Sequence, residues 1–183
     1  LSRQRLSEIN AQVIKKGAIG VGWVVTFPNK GRLSVNGDKA FADSLSQIPS
    51  VLAMFENDKG IYPKTTGTVI LGEDVGGTLA TGVTQNIPIL ASSTNQGIAV
   101  ARPEVDSLVR RIPLLLRTPD GFVPAFGTEV LKILAGADTY VIKTNDNGLE
   151  EIRVRGLPAV PVDSLGRKWI SFVNTPHTDL LEM

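Results

Sequence analysis

The chain has 183 residues, a hydrophobic fraction of 42% and a charged fraction of 20%, which is the balance of a folded domain with a real core. Its 19 basic and 18 acidic residues leave a net charge of +1, which argues against the basic face a nucleic-acid binder needs. It holds no cysteine and one histidine, so disulfides, thiolate catalysis, cysteine-ligated metal and multi-histidine metal sites are excluded. Residues 1–183 read as a single domain.

Ser2 is placed to cap a first helix over 2–16, with Leu6, Ile9, Val13 and Ile14 as its apolar stripe. Lys15, Lys16 and Gly17 form a helix end, basic residues first and then a residue free to take positive φ. Ala18 to Phe27 is β-branched and nearly all apolar, the pattern of a strand buried on both faces. A loop runs from Pro28 to Gly37. Asp38 is expected to cap a second helix, 38–48, built on Phe41, Leu45 and Ile48 and ended by Pro49. Val51 to Phe55 reads as a short strand. Helix, strand, helix, strand in succession favours parallel neighbours.

Between Glu56 and Thr94 prolines and glycines interrupt the pattern. Val69-Ile70-Leu71 reads as a short strand, and Ile87-Pro88-Ile89-Leu90 as an edge strand, because proline cannot donate to a ladder. Long irregular stretches are often functional or mobile, so this one is read as a lid, a partner contact or a disordered segment. Gly72 to Gly82 is glycine-rich but lacks both the phosphate-loop and the dinucleotide-binding spacing.

Gly97 to Arg102 alternates as a strand, 103–108 turns, and Val109 to Arg117 returns with Ile112, Leu114 and Leu116 on one face. Thr118-Pro119-Asp120-Gly121 is a turn. A third helix follows over 125–135, with Phe126, Val130, Ile133 and Leu134 as its apolar face and Gly136 as its stop. The rest reads as antiparallel β: Tyr140 to Lys143, a turn at 145–148, Ile152 to Arg155, a turn at 163–167 held by Asp163 and Arg167, and a strand from Trp169. The expected fold is therefore α/β, a central mixed sheet flanked by helices with an antiparallel C-terminal portion. Trp23 and Trp169 both lie in apolar runs and read as core.

No catalytic motif is present: there is no nucleophile elbow, and no two carboxylates fall on one face by rule. The best charged constellation is Arg102, Asp106, Arg110 and Arg111. Adjacent arginines in a strand point to opposite faces, so at most one of Arg110 and Arg111 joins a given pocket, where its planar fork could grip an anion. The plainer reading is a cross-strand ion pair on a hairpin surface, a common feature that contributes little to stability.

Four stretches, in order, resemble one known family. They are Lys15 to Phe27 with its Lys-Lys-Gly-Ala-Ile-Gly-Val entry; Asp38 to Leu45 with the strand at Val51; Gly97 to Leu114 with Val109-Arg110-Arg111-Ile112-Pro113-Leu114, leading to the helix at 125–135; and Asp163 to Phe172 with Gly166-Arg167-Lys168-Trp169-Ile170. Together they are similar to the second class of CHASE domains, the extracellular sensory domains associated with cyclases and histidine kinases. Trp23 stands where that family often has an acidic residue. The family also usually has a strand before this chain's first residue and a strand and transmembrane helices after its last. The chain starts at Leu1 without an initiator Met, and with the resemblance this leads us to expect a fragment of a larger membrane receptor.

The resemblance implies a periplasmic or extracellular sensor of a bacterial transmembrane receptor, itself not an enzyme. Its cytoplasmic output would be an adenylate or other nucleotide cyclase, a histidine kinase or a cyclic-dinucleotide enzyme. It implies a small-molecule or protein signal, no cofactor and a possible homodimer, and it carries over no shared ligand. Two other readings stay open: a Rossmann-like small-molecule enzyme, and an interaction module that contacts a partner through 56–94.

Overall fold

A computed structural model of the chain describes residues 2–31, 36–74 and 76–171. His177 and the tail beyond 171 lie outside the described residues, as does part of the 28–37 loop. The N-terminal elements are helix α1 (Arg3–Lys15), strand β1 (Val21–Trp23), helix α2 (Gly37–Leu45) and the long strand β2 (Ser50–Ile61). Then come β3 (Gly67–Leu71), β4 (Thr78–Leu79), β5 (Val83–Thr84), the one-turn helix α3 (Pro88–Ala91) and β6 (Asn95–Ala99). The last group is β7 (Arg111–Pro113), β8 (Leu115–Thr118), β9 (Gly121–Pro124), helix α4 (Phe126–Leu134), β10 (Thr139–Asn145), β11 (Gly148–Val154), β12 (Val160–Pro161) and β13 (Arg167–Trp169).

The fold is α/β and mixed. In the first sheet β2 runs parallel to β1 on one side and to β6 on the other, and its far end pairs antiparallel with β5. Helices cover both faces. Trp23 points to one face, where it meets Phe41 of α2 edge to face at 5.4 Å between ring centroids, over a core of Leu6, Leu45, Leu52 and Leu90. Its neighbour Gly22 points to the other face, where a Cβ would lie 2.9 Å from the Phe126 ring of α4. Gly97 shares that face. The first turn of α4 packs straight onto its backbone, so a Cβ at Gly97 would sit 2.7 Å from the Phe126 Cα.

The other sheets are smaller. The second has order β12-β11-β10-β3, antiparallel except for the parallel β10–β3 pair. The third is β4-β8-β9, joined to β6 by a parallel bridge between Ile98 and Ala125. The last is the pair β7–β13. Met54, Ile98, Leu116 and Val123 fill the space between the first and third sheets, and Leu115, Phe122, Tyr140, Ile142 and Ile152 that between the third and second.

Local chemistry accounts for the helices. Ser2 Oγ accepts from the Arg5 N–H at 3.1 Å, and α1 ends at Gly17 with φ +91°. Of the expected α1 stripe only Leu6 is buried, and the next buried position is Asn10, whose amide donates to the Ser44 carbonyl at 2.8 Å. α2 begins one residue before Asp38 and ends three before Ile48. Asp38 does not cap it: its carboxylate instead accepts from Arg3 Nε at 3.1 Å and from the Gly31 N–H at 2.9 Å.

Several expectations are corrected. The run 18–27 forms a strand only over 21–23, and β1 is an edge of its sheet among the described residues. Ile19, 77% exposed, and also Val24 and Val25 lie open to solvent, because an apolar run reads alike whether one face is covered or two. The stretch expected as an edge strand is instead helical over Pro88–Ala91, after Ile87. Pro88 takes the first helical position, where its missing N–H costs nothing, and Leu90 is fully buried. The region 56–94 is no separate lid: it supplies β5, β3 and β4 to three different sheets. Residues 97–117 are not a hairpin, since β6 pairs with β2 and β7 with β13. The strand read over 109–117 breaks at Leu114, where the chain leaves β13 for β9. Trp169 is 59% exposed and is not core.

Candidate functional site

Beyond the C-terminal end of β6, past Ala99, lies an open cleft of about 1030 Å³. Arg102, Asp106, Arg110 and Arg111, the four residues singled out in the sequence, all line it. The loop 103–108 forms one wall. It closes on itself through Glu104 N–H to the Leu108 carbonyl at 2.9 Å and Ser107 N–H to the Glu104 carbonyl at 2.8 Å, with Ser107 held at φ +65°. The opposite wall is the 163–167 turn. There Asp163 Oδ1 accepts from the Leu165 and Arg167 N–H groups at 3.1 and 2.9 Å.

The charges across the cleft alternate. Arg110 Nη1 donates to Asp106 Oδ1 at 2.8 Å, and the same guanidinium lies 3.6 Å from Glu104. Arg111 Nε donates to the other Glu104 oxygen at 2.7 Å, and its Nη1 reaches Asp163 Oδ2 at 3.3 Å. Arg167 Nε completes the row on Asp163 Oδ2 at 2.9 Å. Trp169 lies opposite Arg111 in the β7–β13 ladder, and the Arg111 guanidinium stacks 5.1 Å from its ring centroid. Arg102 stands apart from the row, paired with Glu56 and donating to the Leu79 carbonyl at 2.8 Å. Between the charges the walls are apolar: Leu79 is 70% exposed, and Val105 and Leu165 are also open.

Arg110 and Arg111 do not point to opposite faces. Arg110 precedes β7 and escapes the strand's alternation, so both guanidinia reach Glu104. The cross-strand hairpin pair is likewise replaced, by pairs within a loop and between that loop and a distant turn. The hydrogen bond from Arg110, then that from the Leu108 N–H, hold the Asp106 carboxyl below the usual carboxylate range. Asp106 in turn raises Arg110, and Glu104 raises Arg111. Each of these shifts fixes a group more firmly in its charged form.

A second polar cluster was not legible in the sequence. α4 turns Thr128, Glu129 and Lys132 inward; of its expected apolar face Leu134 is exposed, as is Leu131 beside it. Glu129 is 2% and Lys132 6% exposed. They pair at 2.9 Å. Glu129 also accepts from the Asn95 amide of β6 and, at 2.8 Å, from the Tyr140 hydroxyl of β10, and Lys132 Nζ donates to Thr66 Oγ1 at 3.2 Å. Burial, and then the Glu129 charge, push the Tyr140 phenol far above its ordinary value, so it stays a donor. The only sequence signal was a Glu and a Lys three apart on a helix, which reads as a surface pair.

Among the described residues no group of three or more His, Asp or Glu side chains could hold a metal ion, and no helix is long and apolar enough to cross a membrane. Comparison of the chain with protein-family models, with curated proteins and with solved structures finds no match.

Proposed function

We propose that this domain is the signal-sensing part of a bacterial transmembrane receptor, placed on the periplasmic or extracellular side of the membrane. A cyclase, a kinase or a cyclic-dinucleotide enzyme would form the cytoplasmic output. Two things support the reading: the ordered resemblance to the second class of CHASE domains, and the paired-arginine cleft, which carries the argument.

A planar guanidinium already held in place is a preorganised anion receptor. Its carboxylate partners are partly exposed, and such pairs contribute little to stability, so an incoming carboxylate or phosphate exchanges with them at small cost. The exchange would alter the link between the 103–108 loop and the 163–167 turn. A ligand that binds the two arrangements unequally shifts their populations, which is what a sensor requires. The exposed Leu79, Val105 and Leu165 favour a ligand with an apolar part, or a protein partner seated on the same cleft.

A small-molecule enzyme is the competing reading. It would need a proton-exchanging group at the strand ends, and the resolved shifts in the cleft run the other way. A thermal-shift screen of anionic metabolites separates these readings. We expect a hit that raises Tm and loses its effect in Arg110→Ala and Arg111→Ala. If no hit depends on either arginine the cleft drops out of the proposal, and turnover of a hit would overturn the sensor reading itself.

A further inference from the structure

On the far side of α4 from its exposed leucines lies a second cavity, of about 380 Å³, bounded by the 63–66 connector, the start of β6 and the Glu129–Lys132 pair. We propose that it is a binding site for a small organic carboxylate, separate from the arginine cleft and independent of the function proposed there.

The argument starts from what the pair does not achieve. Taking two charges out of water is costly, and an apolar pair of like volume usually serves stability as well or better. Both side chains, although only 8% and 3% exposed, nevertheless border a cavity. Their remaining hydrogen-bonding capacity is one-sided. Glu129 is occupied on both oxygens, by Asn95 and Lys132 on one and by Tyr140 on the other. Lys132 has three N–H donors and, among the described residues, two hydrogen-bonding partners, Glu129 and Thr66, with the Tyr140 ring 5.1 Å from Nζ. The open valence at the floor is therefore a cationic donor.

The rim adds more donors. Lys64 and Thr65 stand at the mouth, and the charged lining of Lys64, Lys132 and Glu129 carries one net positive charge. An occupant must bring acceptor oxygens and negative charge, and the cavity admits a body of only a few carbons beside Met54, Pro63 and Pro124. A carboxylate oxygen on Lys132 Nζ, with the Thr65 hydroxyl and the Lys64 ammonium beside it, satisfies that valence without disturbing the Glu129 network.

The test titrates the 183-residue chain with straight-chain mono- and dicarboxylates from acetate to adipate, reading Tm and calorimetric affinity. At least one member should bind saturably and raise Tm. Arg111→Ala should leave that binding unchanged, which separates this site from the cleft. The double variant Glu129→Gln/Lys132→Met, which removes both charges together, should abolish it. The rim variant Lys64→Ala/Thr65→Ala, at surface positions, should weaken it by roughly tenfold or more. The site is overturned if no member binds, if binding survives in the folded double variant, or if Arg111→Ala abolishes it. If the double variant does not fold, unchanged affinity in the rim variant overturns the site alone.

Discussion

The buried pair on α4 makes a sharp prediction about stability. Lys132→Met keeps the length of the side chain and removes the ammonium. Glu129, 2% exposed, would then hold a full negative charge with only Asn95 and Tyr140 as donors. Stranding one member of a buried ion pair costs about 3–5 kcal/mol. Glu129→Gln keeps the shape of the carboxylate but leaves the Lys132 ammonium, 6% exposed, without a counter-charge, with only neutral partners such as Thr66 and the Tyr140 ring, at a cost in the same range. Against a total stability of about 5–15 kcal/mol, either single variant is severe. In the double variant no charge is stranded, so it should be more stable than either single variant, with a coupling of about 3 kcal/mol or more. Urea unfolding of all four proteins measures this, through midpoint shifts at constant slope. Costs that add to within about 0.5 kcal/mol would refute the reasoning and show that the two groups do not depend on each other.

Three further outcomes are expected. Gly97→Ala should destabilise by about 1–3 kcal/mol from overlap with the α4 backbone, partly offset by about 0.4–1 kcal/mol from a stiffer unfolded chain; urea midpoints decide, and a variant as stable as wild type would show that α4 can lift off β6 without penalty. The Asp106 carboxyl is depressed in the folded state, so its contribution is present above the unfolded value of about 3.9 and is lost as pH falls through the folded one; the urea midpoint should drop below about pH 4, and less so in Asp106→Asn. Tyr140 has the opposite sign, its raised phenol contributing stability below about pH 10 that is lost only as pH rises through the folded value; in a Tyr62→Phe background the phenolate absorbance should appear together with unfolding and not before it.

What could be read from the sequence was what local chemistry decides. Ser2 caps, Gly17 stops a helix at positive φ, Gly121 closes the β8–β9 hairpin, and Asp163 holds its turn, each within a few residues of its partner. What could not be read depends on distant partners. Nothing within 18–27 records that one side of β1 is uncovered among the described residues, and nothing at Leu114 records that the strand changes neighbours there. Pro88 is excluded from a ladder and welcome in a first helical turn, and the local sequence does not choose between them. The cleft was half legible. Its arginines and Asp106 were identified, but Asp163 lies 52 positions from Arg111 and Glu56 lies 46 from Arg102, so these two distant acids could not be paired with them. Lys132 and Glu129 were hidden because a buried ion pair and a surface ion pair share one spacing.

The row of charges across the cleft has an even number of members and unlike ends, with Asp106 at one and Arg167 at the other. On the proposed anion binding, an anion at the Arg167 end would extend the row, whereas one entering between its members would have to displace a resident acid. The two outer acids are not equally anchored. Asp163 is tied by two backbone N–H groups as well as by two arginines, whereas Asp106 has one backbone N–H, from Leu108 at 3.2 Å, and one arginine. An anion entering inside the row would therefore displace Asp106, the more weakly tied of the two. On that proposal the 163–167 turn would be the fixed jaw and the 103–108 loop the part that moves.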